Sequence, residues 1–317
     1  MGQIKSSKNM AGGIFSALGA YVIWGILPIY WKLVSEVPAH EVLAHRIFWS
    51  FVFMACIILA LNKGNDFIAE FRDLLAKKKK LAWVVLGAVL ISLNWFIYIW
   101  AVNDNRVIET SLGYYINPLF NVIIGIVVLH ERLSFWQLIS VCLAALGVVN
   151  MALNLGSLPW VALVLAISFG IYGLCKKKAG LAAITSITLE TLIIAPFAGI
   201  YLAYIHYQGN GFPLTISVTT GYLIGTGIVT AVPLLLFSSS ANKLPLSLLG
   251  FIQYVSPSIG LLLGIFLYHE AFTLIHMVSF GFIWLALLVF SLAKTTLFTS
   301  IEAAIVKKWY IEQHKAQ

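Results

Sequence analysis

Glu190 is the residue whose type and position point most directly to chemistry. It lies near the middle of an apolar run from Leu181 to Ile205 that contains no Lys or Arg. An ionisable side chain within such a run is costly to bury and usually faces a bundle interior or a water-filled path. Three roles stay open. Glu190 could carry a coupling proton, pair with a cation from another segment, or make a structural hydrogen bond as a neutral acid.

Arg46, His45 and Lys32 form a second group of ionisable candidates. Arg46 and His45 lie near the start of the run from Pro38 to Leu61, and Lys32 ends the run before it. A guanidinium group can recognise a substrate carboxylate or phosphate through two parallel hydrogen bonds. Alternatively, Arg46 pairs with Glu190 or extends outward to lipid headgroups. Lys32 has the same two alternatives, substrate contact or headgroup contact.

Aromatic and amide side chains within the apolar runs are further candidates for substrate contact. They are Trp24, Asn94, Tyr98, Tyr115, Asn117, Gln253 and Tyr254. Together they could line an amphipathic cavity for a flat or amine-bearing metabolite. For any single aromatic residue the alternative is helix packing, and Trp31 is assigned to the aromatic belt at the membrane surface. Pro118 and Pro257 each remove a helix hydrogen bond in the middle of a run and are candidate kinks or hinges.

No catalytic, metal or cofactor site is predicted. His40, Glu41 and His45 have the spacing H-E-x-x-x-H, whereas zinc hydrolases use H-E-x-x-H. Three cysteines lie in apolar runs and are predicted to be small buried hydrophobes: Cys56, Cys142 and Cys175. The absence of a G-x-S-x-G or Walker A sequence argues against a membrane-embedded hydrolase and against an ATP-driven pump in one chain.

The candidate residues must be positioned by segments that cross a lipid bilayer. The chain has 317 residues, 61% hydrophobic and 10% charged, with a mean hydropathy of +0.94. A soluble domain has about 25% charged residues, and a disordered chain is poor in apolar ones, so both classes are excluded. A spanning helix needs about 20 apolar residues, which predicts an all-α integral membrane protein with ten transmembrane helices. The runs are Gly12 to Lys32, Pro38 to Leu61, Leu81 to Ala101, Val107 to Leu129, Phe135 to Leu153, Leu158 to Cys175, Leu181 to Ile205, Gly221 to Ala241, Leu246 to Tyr268 and Leu274 to Leu292.

The basic residues predict the orientation of the chain. With a cytoplasmic N-terminus and ten spans, all of the 20 Lys and Arg residues except Lys32, Arg46 and Arg106 fall in cytoplasmic segments. This is the positive-inside rule, and it places both termini in the cytoplasm. Because the basic residues lie between apolar runs and do not cover one polar face, a nucleic-acid partner is not indicated.

An internal repeat divides the chain into two halves, predicted as residues 1–156 and 157–317. The pattern P-x6-G-x4-H-E occurs twice, first at Pro118, Gly125, His130 and Glu131, and again at Pro257, Gly264, His269 and Glu270. Trp24-Gly25 similarly matches Phe169-Gly170, and the same offset places Glu190 on His45, which suggests that Arg46 lies deep in the membrane. Each half has five spans. An odd number inverts the second copy, an architecture typical of secondary transporters.

The sequence resembles the RarD-type permeases, often labelled chloramphenicol-sensitive proteins, within the EamA branch of the drug/metabolite transporter superfamily. The stretches that carry the resemblance are Trp24-Gly25 with Pro28, Tyr30 and Lys32, the A-H-R-x-x-W-S run from Ala44 to Ser50, Asn94-Trp95 with Tyr98, the run from Ser111 to Pro118, Glu131-Arg132-Leu133, Ser168-Phe169-Gly170 with Tyr172-Gly173, Glu190-Thr191-Leu192 with Pro196, and Gln253-Tyr254 with Pro257. The resemblance implies a ten-helix inverted-repeat transporter in a bacterial inner membrane.

These observations predict a secondary active transporter of a small organic metabolite or drug-like compound. Alternating access would move the substrate, and Glu190 is the candidate for proton coupling. The alternatives are a channel or uniporter without ion coupling and, less favoured, a membrane-embedded enzyme. The predicted partners are the substrate, the lipid bilayer and protons if transport is coupled, and the protein is predicted to be a monomer or homodimer.

Overall fold

The computed structural model of the protein is helical and describes residues 2–104, 106–154, 159–213, 215–268, 273–293 and 295–304. The helices within these residues include α1 (Gly2–Lys32), α2 (Ala39–Ala60), α3 (Gly64–Ala76), α4 (Lys78–Asn103), α5 (Val107–Leu129), α6 (Phe135–Leu153), α7 (Trp160–Ala179), α8 (Ala183–Tyr207), α9 (Val218–Ala241), α10 (Leu246–Gln253), α11 (Val255–Phe266) and α12 (Leu274–Leu292). His269 and Glu270 of the repeat pattern, Lys294, and residues 305–317 of the predicted cytoplasmic tail lie outside the described residues.

Ten segments of the described chain are long and apolar enough to cross a membrane, which confirms the predicted number of spans. They are 19 to 25 residues long, and at about 1.5 Å per residue a helix of this length crosses the roughly 30 Å hydrocarbon core. Large apolar side chains such as Phe197 and Phe266 point outward, as they do where lipid replaces water. Cys175 is buried as predicted, but Cys56 and Cys142 are exposed on outward faces, which corrects the prediction for those two.

A short helix that the sequence analysis missed, α3, lies between the second and third spans. It is too short and too charged to cross a bilayer, and its apolar residues Phe67, Phe71 and Leu74 lie on one face. This face packs against Val84 of α4 and Leu181 before α8. The helix therefore covers one end of the bundle.

The ninth span is divided into α10 and α11, although the sequence analysis predicts one run. The division falls at Tyr254, three residues before Pro257. Pro257 has no N–H group for the carbonyl of Gln253, so one helix hydrogen bond is missing at this point. Pro118 lies inside the continuous helix α5, and the two prolines therefore have different effects on their helices.

The core at the centre of the bundle joins α1, α7 and α9 through aromatic packing, and Leu246 and Leu249 of α10 pack against it. Tyr172 and Phe237 are fully buried and stack with ring centroids 5.9 Å apart and an interplanar angle of 11°. Close helix approach occurs at Gly250, where a Cβ atom would lie 2.8 Å from the carbonyl oxygen of Pro118. This contact brings α10 directly against α5, so the two halves predicted by the repeat pack closely here.

Candidate functional site

Glu190 forms an ion pair with a cation of the neighbouring helix. Its Oε1 lies 2.6 Å from Nζ of Lys176 on α7, and both side chains are almost fully buried. The hydroxyl of Tyr172, one turn before Lys176, donates a hydrogen bond to Oε2 at 3.0 Å. Ser186 bridges the two charges, because its Oγ accepts from Nζ at 3.0 Å and donates to Oε1 at 3.4 Å. These four residues form a neutral cluster that we call the ion-pair network.

Lys176 is predicted from the sequence to lie in a cytoplasmic segment with the next two lysines, but the structure places it buried inside α7. The run predicted to end at Cys175 continues as helix to Ala179, and Gly180 ends it in the left-handed conformation with φ of 59°. Lys176 therefore lies inside α7, four residues after Tyr172 and on the same face. Ser186 and Glu190 on α8 are also four residues apart. These two matching spacings are the sequence signal that could have identified Lys176.

The ion-pair network also touches the first half of the chain. A Cβ atom at Gly87 of α4 would lie 3.6 Å from Glu190 Oε1 and 3.7 Å from the ring of Tyr172. These are ordinary contact distances, so α4 passes directly over the carboxylate with no side chain between them. The carboxylate of Glu190 therefore lies at a contact between the two halves.

Arg46 lies about two turns into α2 and faces the interior of the bundle. Its Nε donates a hydrogen bond to Oγ1 of Thr230 on α9 at 3.1 Å. Its guanidinium carbon lies 4.5 Å from the ring centroid of Trp31 and 5.0 Å from that of Trp95. Within the described residues Arg46 forms no ion pair, either with Glu190 or with another carboxylate.

Tyr98 and Tyr114 complete the surroundings of Arg46. Their rings meet edge to face with centroids 5.9 Å apart, and both phenols are near enough to interact electrostatically with the guanidinium. We call the whole group the Arg46 site, which consists of Arg46, Trp31, Trp95, Tyr98, Tyr114 and Thr230. Trp31 belongs to this site and not only to a membrane-surface belt. Thr230 was missed because a single Thr in an apolar run carries no sequence signal.

His45 and Lys32 lie apart from the Arg46 site. His45 accepts a hydrogen bond at Nδ1 from Nε1 of Trp49 at 3.2 Å and lines a partly open cavity of about 260 Å³ with His206 of α8. Lys32 is exposed at the end of α1, with its Nζ 3.5 Å from the ring centroid of Tyr268. The structure therefore separates these two candidates from Arg46.

The amide candidates link helices to one another. Asn94 of α4 donates hydrogen bonds to Oγ of Ser168 at 2.8 Å and to a backbone carbonyl of α7 at 2.9 Å. Asn117 of α5 donates to another carbonyl of α7 at 2.7 Å. Asn121, one turn further, donates to Oδ1 of Asn117 and to Oε1 of Gln253, each at 3.1 Å. In this conformation the amides hold α4, α5, α7 and α10 together.

Three of the aromatic candidates are also engaged in packing. Trp24 meets Phe169 edge to face at 5.8 Å, and Tyr115 meets Phe280 in the same way at 5.2 Å. The hydroxyl of Tyr254 donates to the backbone carbonyl of Tyr115 at 3.2 Å. Among the aromatic candidates selected from the sequence, Tyr98 is the one that the structure brings next to Arg46.

Comparison with known proteins identifies the family. The profile of the EamA-like transporter family matches residues 11–153 and 158–292, and each matched segment contains five of the spans. The chain is 43% identical over 293 residues to the uncharacterized transporter YojE of Bacillus subtilis, covering 92% of this chain and 97% of that protein. It is 42% identical over 289 residues to the protein RarD of Escherichia coli K12, covering 90% and 95%.

A more distant relative and a solved structure agree with this result. The chloramphenicol-sensitive protein RarD of Pseudomonas aeruginosa is 30% identical over 278 residues, covering 87% of this chain and 92% of the relative. A solved structure described only as the crystal structure of a protein superposes with a TM-score of 0.69 at 17% identity, covering 90% of this chain and 99% of that one, and it supports the fold alone. The chain is therefore a membrane transporter of RarD type and belongs to the EamA-like transporter family.

Proposed function

We propose that the protein is a secondary active transporter that moves a small organic metabolite or drug-like compound across the bacterial plasma membrane by alternating access. The two halves, residues 1–156 and 157–317, are proposed to be inverted repeats that rock about a shared site. The two segments matched by the family profile, with five spans in each, support this arrangement. The distribution of Lys and Arg supports cytoplasmic N- and C-termini.

The buried ion-pair network is the observation that carries the coupling part of the proposal. Lys176 neutralises Glu190 in a site almost without solvent exposure, so the pair has no net charge in the conformation described here. A proton delivered to Glu190 would leave the charge of Lys176 uncompensated, and an unpaired charge is expensive to bury. We propose that protonation therefore favours a conformation in which water reaches the pair, and that α4 at Gly87 transmits this change to the first half.

Transport by reconstituted protein tests the proposal. Proteoliposomes loaded with a pH-sensitive dye are exposed to gradients of organic acids, amines, amino acids and antibiotics, including chloramphenicol because one relative is named for sensitivity to it. We expect the transport of at least one solute to be accompanied by movement of protons across the membrane. Lys176→Gln/Glu190→Gln removes both charges together and is expected to abolish the solute-driven pH change while solute exchange continues.

A second ion pair, whose arginine is partly exposed, provides the control. Arg106→Gln/Glu109→Gln removes an ion pair of similar separation, 2.7 Å, at the start of α5. This control is expected to retain coupling. Solute movement without proton movement, unchanged by an imposed pH gradient, would establish the alternative of a uniporter in which the ion-pair network is purely structural.

A further inference from the structure

Two arginines near the apolar parts of the bundle have similar aromatic surroundings but different electrostatic partners. Arg106 lies over the rings of Trp100 and Trp160, with its guanidinium carbon 5.9 Å and 4.9 Å from their centroids. Its Nη2 lies 2.7 Å from Oε1 of Glu109, and its Nε donates to the same oxygen at 2.8 Å. Arg106 is therefore neutralised within the protein.

Arg46 also lies against two tryptophan rings, but its one hydrogen bond within the described residues is from Nε to the neutral hydroxyl of Thr230. An arginine inside a membrane protein normally pairs with an acidic group or lines a water-filled cavity. Arg46 has no acidic group paired to it in the described part of the chain, and it is partly accessible. Its charge is thus available to a group that comes from outside the protein.

The shape of the Arg46 site limits what that group can be. Trp31 and Trp95 lie against the guanidinium, while Nε is held by Thr230, so the two terminal nitrogens remain for a ligand in the guanidinium plane. A carboxylate satisfies both nitrogens through two parallel hydrogen bonds. Such a ligand would extend between aromatic walls completed by Tyr98 and Tyr114. A flat ligand fits between such walls and gains stacking contacts there.

The position of the site agrees with a transport role. Arg46, Trp31, Trp95, Tyr98 and Tyr114 belong to the first half of the chain, whereas Thr230 belongs to the second. In carriers built from repeats the substrate site lies at the interface between the repeats, near the middle of the membrane. The hydrogen bond from Arg46 to Thr230 crosses between the two halves, so the Arg46 site lies at their interface.

We propose that the Arg46 site binds the carboxylate of a small planar organic anion, and that this anion class is the transported substrate. The assignment of the class to transport rests on the proposed function above, but the binding itself does not. Arg46 holds the carboxylate, Thr230 orients the guanidinium, and the aromatic side chains contact the flat body of the ligand.

Calorimetric titration of the purified full-length protein with matched probes tests the binding. The probes are naphthalene-2-carboxylate and naphthalene-2-carboxamide, which share one ring system and differ in charge. We expect the carboxylate to bind the unaltered protein at least about tenfold more tightly than the amide, the range set by charge-assisted hydrogen bonds. Arg46→Gln should remove this preference, and Arg46→Lys should restore only part of it because lysine lacks the two-pronged geometry.

The control variant is Arg106→Gln, which removes an arginine already paired with Glu109 and should leave the preference unchanged. Equal affinity of the unaltered protein for the two probes, or binding of neither, would overturn the proposal without reference to any variant. A preference that survives Arg46→Gln would also overturn it. Flux measured in proteoliposomes separates the conclusion about transport from the conclusion about binding. Binding of the carboxylate without its flux contradicts the transport function, and flux without a preference for the carboxylate contradicts the assignment of the Arg46 site.

Discussion

At the scale of single residues, the pairing of Glu190 with Lys176 changes what a substitution at either position should do. Glu190→Gln leaves Lys176 buried without its counter-ion, and breaking a buried pair from one side costs about 3–5 kcal/mol. Lys176→Gln/Glu190→Gln leaves no uncompensated charge, so we expect it to be more stable than either single variant. Denaturant titration of the detergent-solubilised protein, followed by circular dichroism, measures the difference.

The ion pair of Arg106 and Glu109 provides a control for this prediction, because its cation is partly exposed. Glu109→Gln also removes a carboxylate from an arginine, but the side chain of Arg106 is 26% exposed and water can solvate it. We expect Glu109→Gln to lower the free energy of unfolding clearly less than Glu190→Gln does. If Glu190→Gln is as stable as the double variant, the ion pair contributes no net stability and Lys176 must find another partner.

How much of the site could be predicted from the sequence depends on how each residue contrasts with its neighbours. Glu190 and Arg46 stand out because each is an ionisable residue within an apolar run. Lys176 does not stand out, because three consecutive lysines after an apolar run are typical of a cytoplasmic loop. All three lysines lie inside α7, and only the face of the helix distinguishes the buried Lys176 from the partly buried Lys177 and the exposed Lys178. Thr230 is identified only by its distance to Arg46.

At the scale of helices, Glu131 attaches the end of α5 to the start of α10. His130 ends α5 with a left-handed φ of 55°, and Glu131 then accepts hydrogen bonds from the backbone N–H groups of Leu246 at 2.6 Å and Ser247 at 2.9 Å. The hydroxyl of Ser247 adds a third at 2.7 Å. The start of a helix has unsatisfied N–H groups and a partial positive charge, so a carboxylate is stabilising there.

Removal of this carboxylate should loosen α10 specifically. We expect Glu131→Ala to destabilise the start of α10 by about 1–2 kcal/mol, the usual cost of a lost helix cap. Hydrogen exchange should then accelerate in residues 244–253 and remain unchanged in α12. Since α10 has only eight residues, it has few other hydrogen bonds with which to compensate.

Gly125 offers an independent variant of the same prediction. A Cβ atom at this position would lie 2.6 Å from Oε2 of Glu131, so Gly125→Ala should displace the carboxylate without removing it. We expect the same local acceleration as for Glu131→Ala. Unchanged exchange in α10 for both variants would show that the neighbouring contacts, including the hydrogen bond from Lys177 to the carbonyl of Leu244, are sufficient to hold this end.

Which helices could be predicted from the sequence depends on the features that begin, end or divide each helix. The ten spans could be predicted because burial in lipid requires long apolar runs, and the structure confirms them. The helix α3 has its apolar residues on one face of a charged segment, a weaker signal than a continuous run. The division at Tyr254 requires packing information, since Pro118 at the matching place in the repeat leaves α5 continuous.

At the scale of the whole molecule, the inverted arrangement of the halves makes a prediction about two loops. The segment between α2 and α4 and the segment between α8 and α9 occupy the same place in the two halves, after the second span of each. If the second half is inverted, these segments must lie on opposite sides of the membrane. The lysines of the first segment predict that it is the cytoplasmic one.

Labelling of single cysteines tests this arrangement in intact cells. With Cys56, Cys142 and Cys175 replaced by alanine, Gly64→Cys and Asn210→Cys place one thiol in each segment. Asn210 is exposed, and a Cβ atom at Gly64 meets no neighbouring atom within 4 Å, so neither change should disturb the fold.

We expect a membrane-impermeant maleimide to label Asn210→Cys in intact cells but Gly64→Cys only after permeabilisation. Labelling of both from the same side would contradict inversion, whereas the reverse pattern would retain inversion and contradict the cytoplasmic termini. The experiment therefore separates the symmetry of the fold, on which alternating access depends, from the orientation that charge alone predicts.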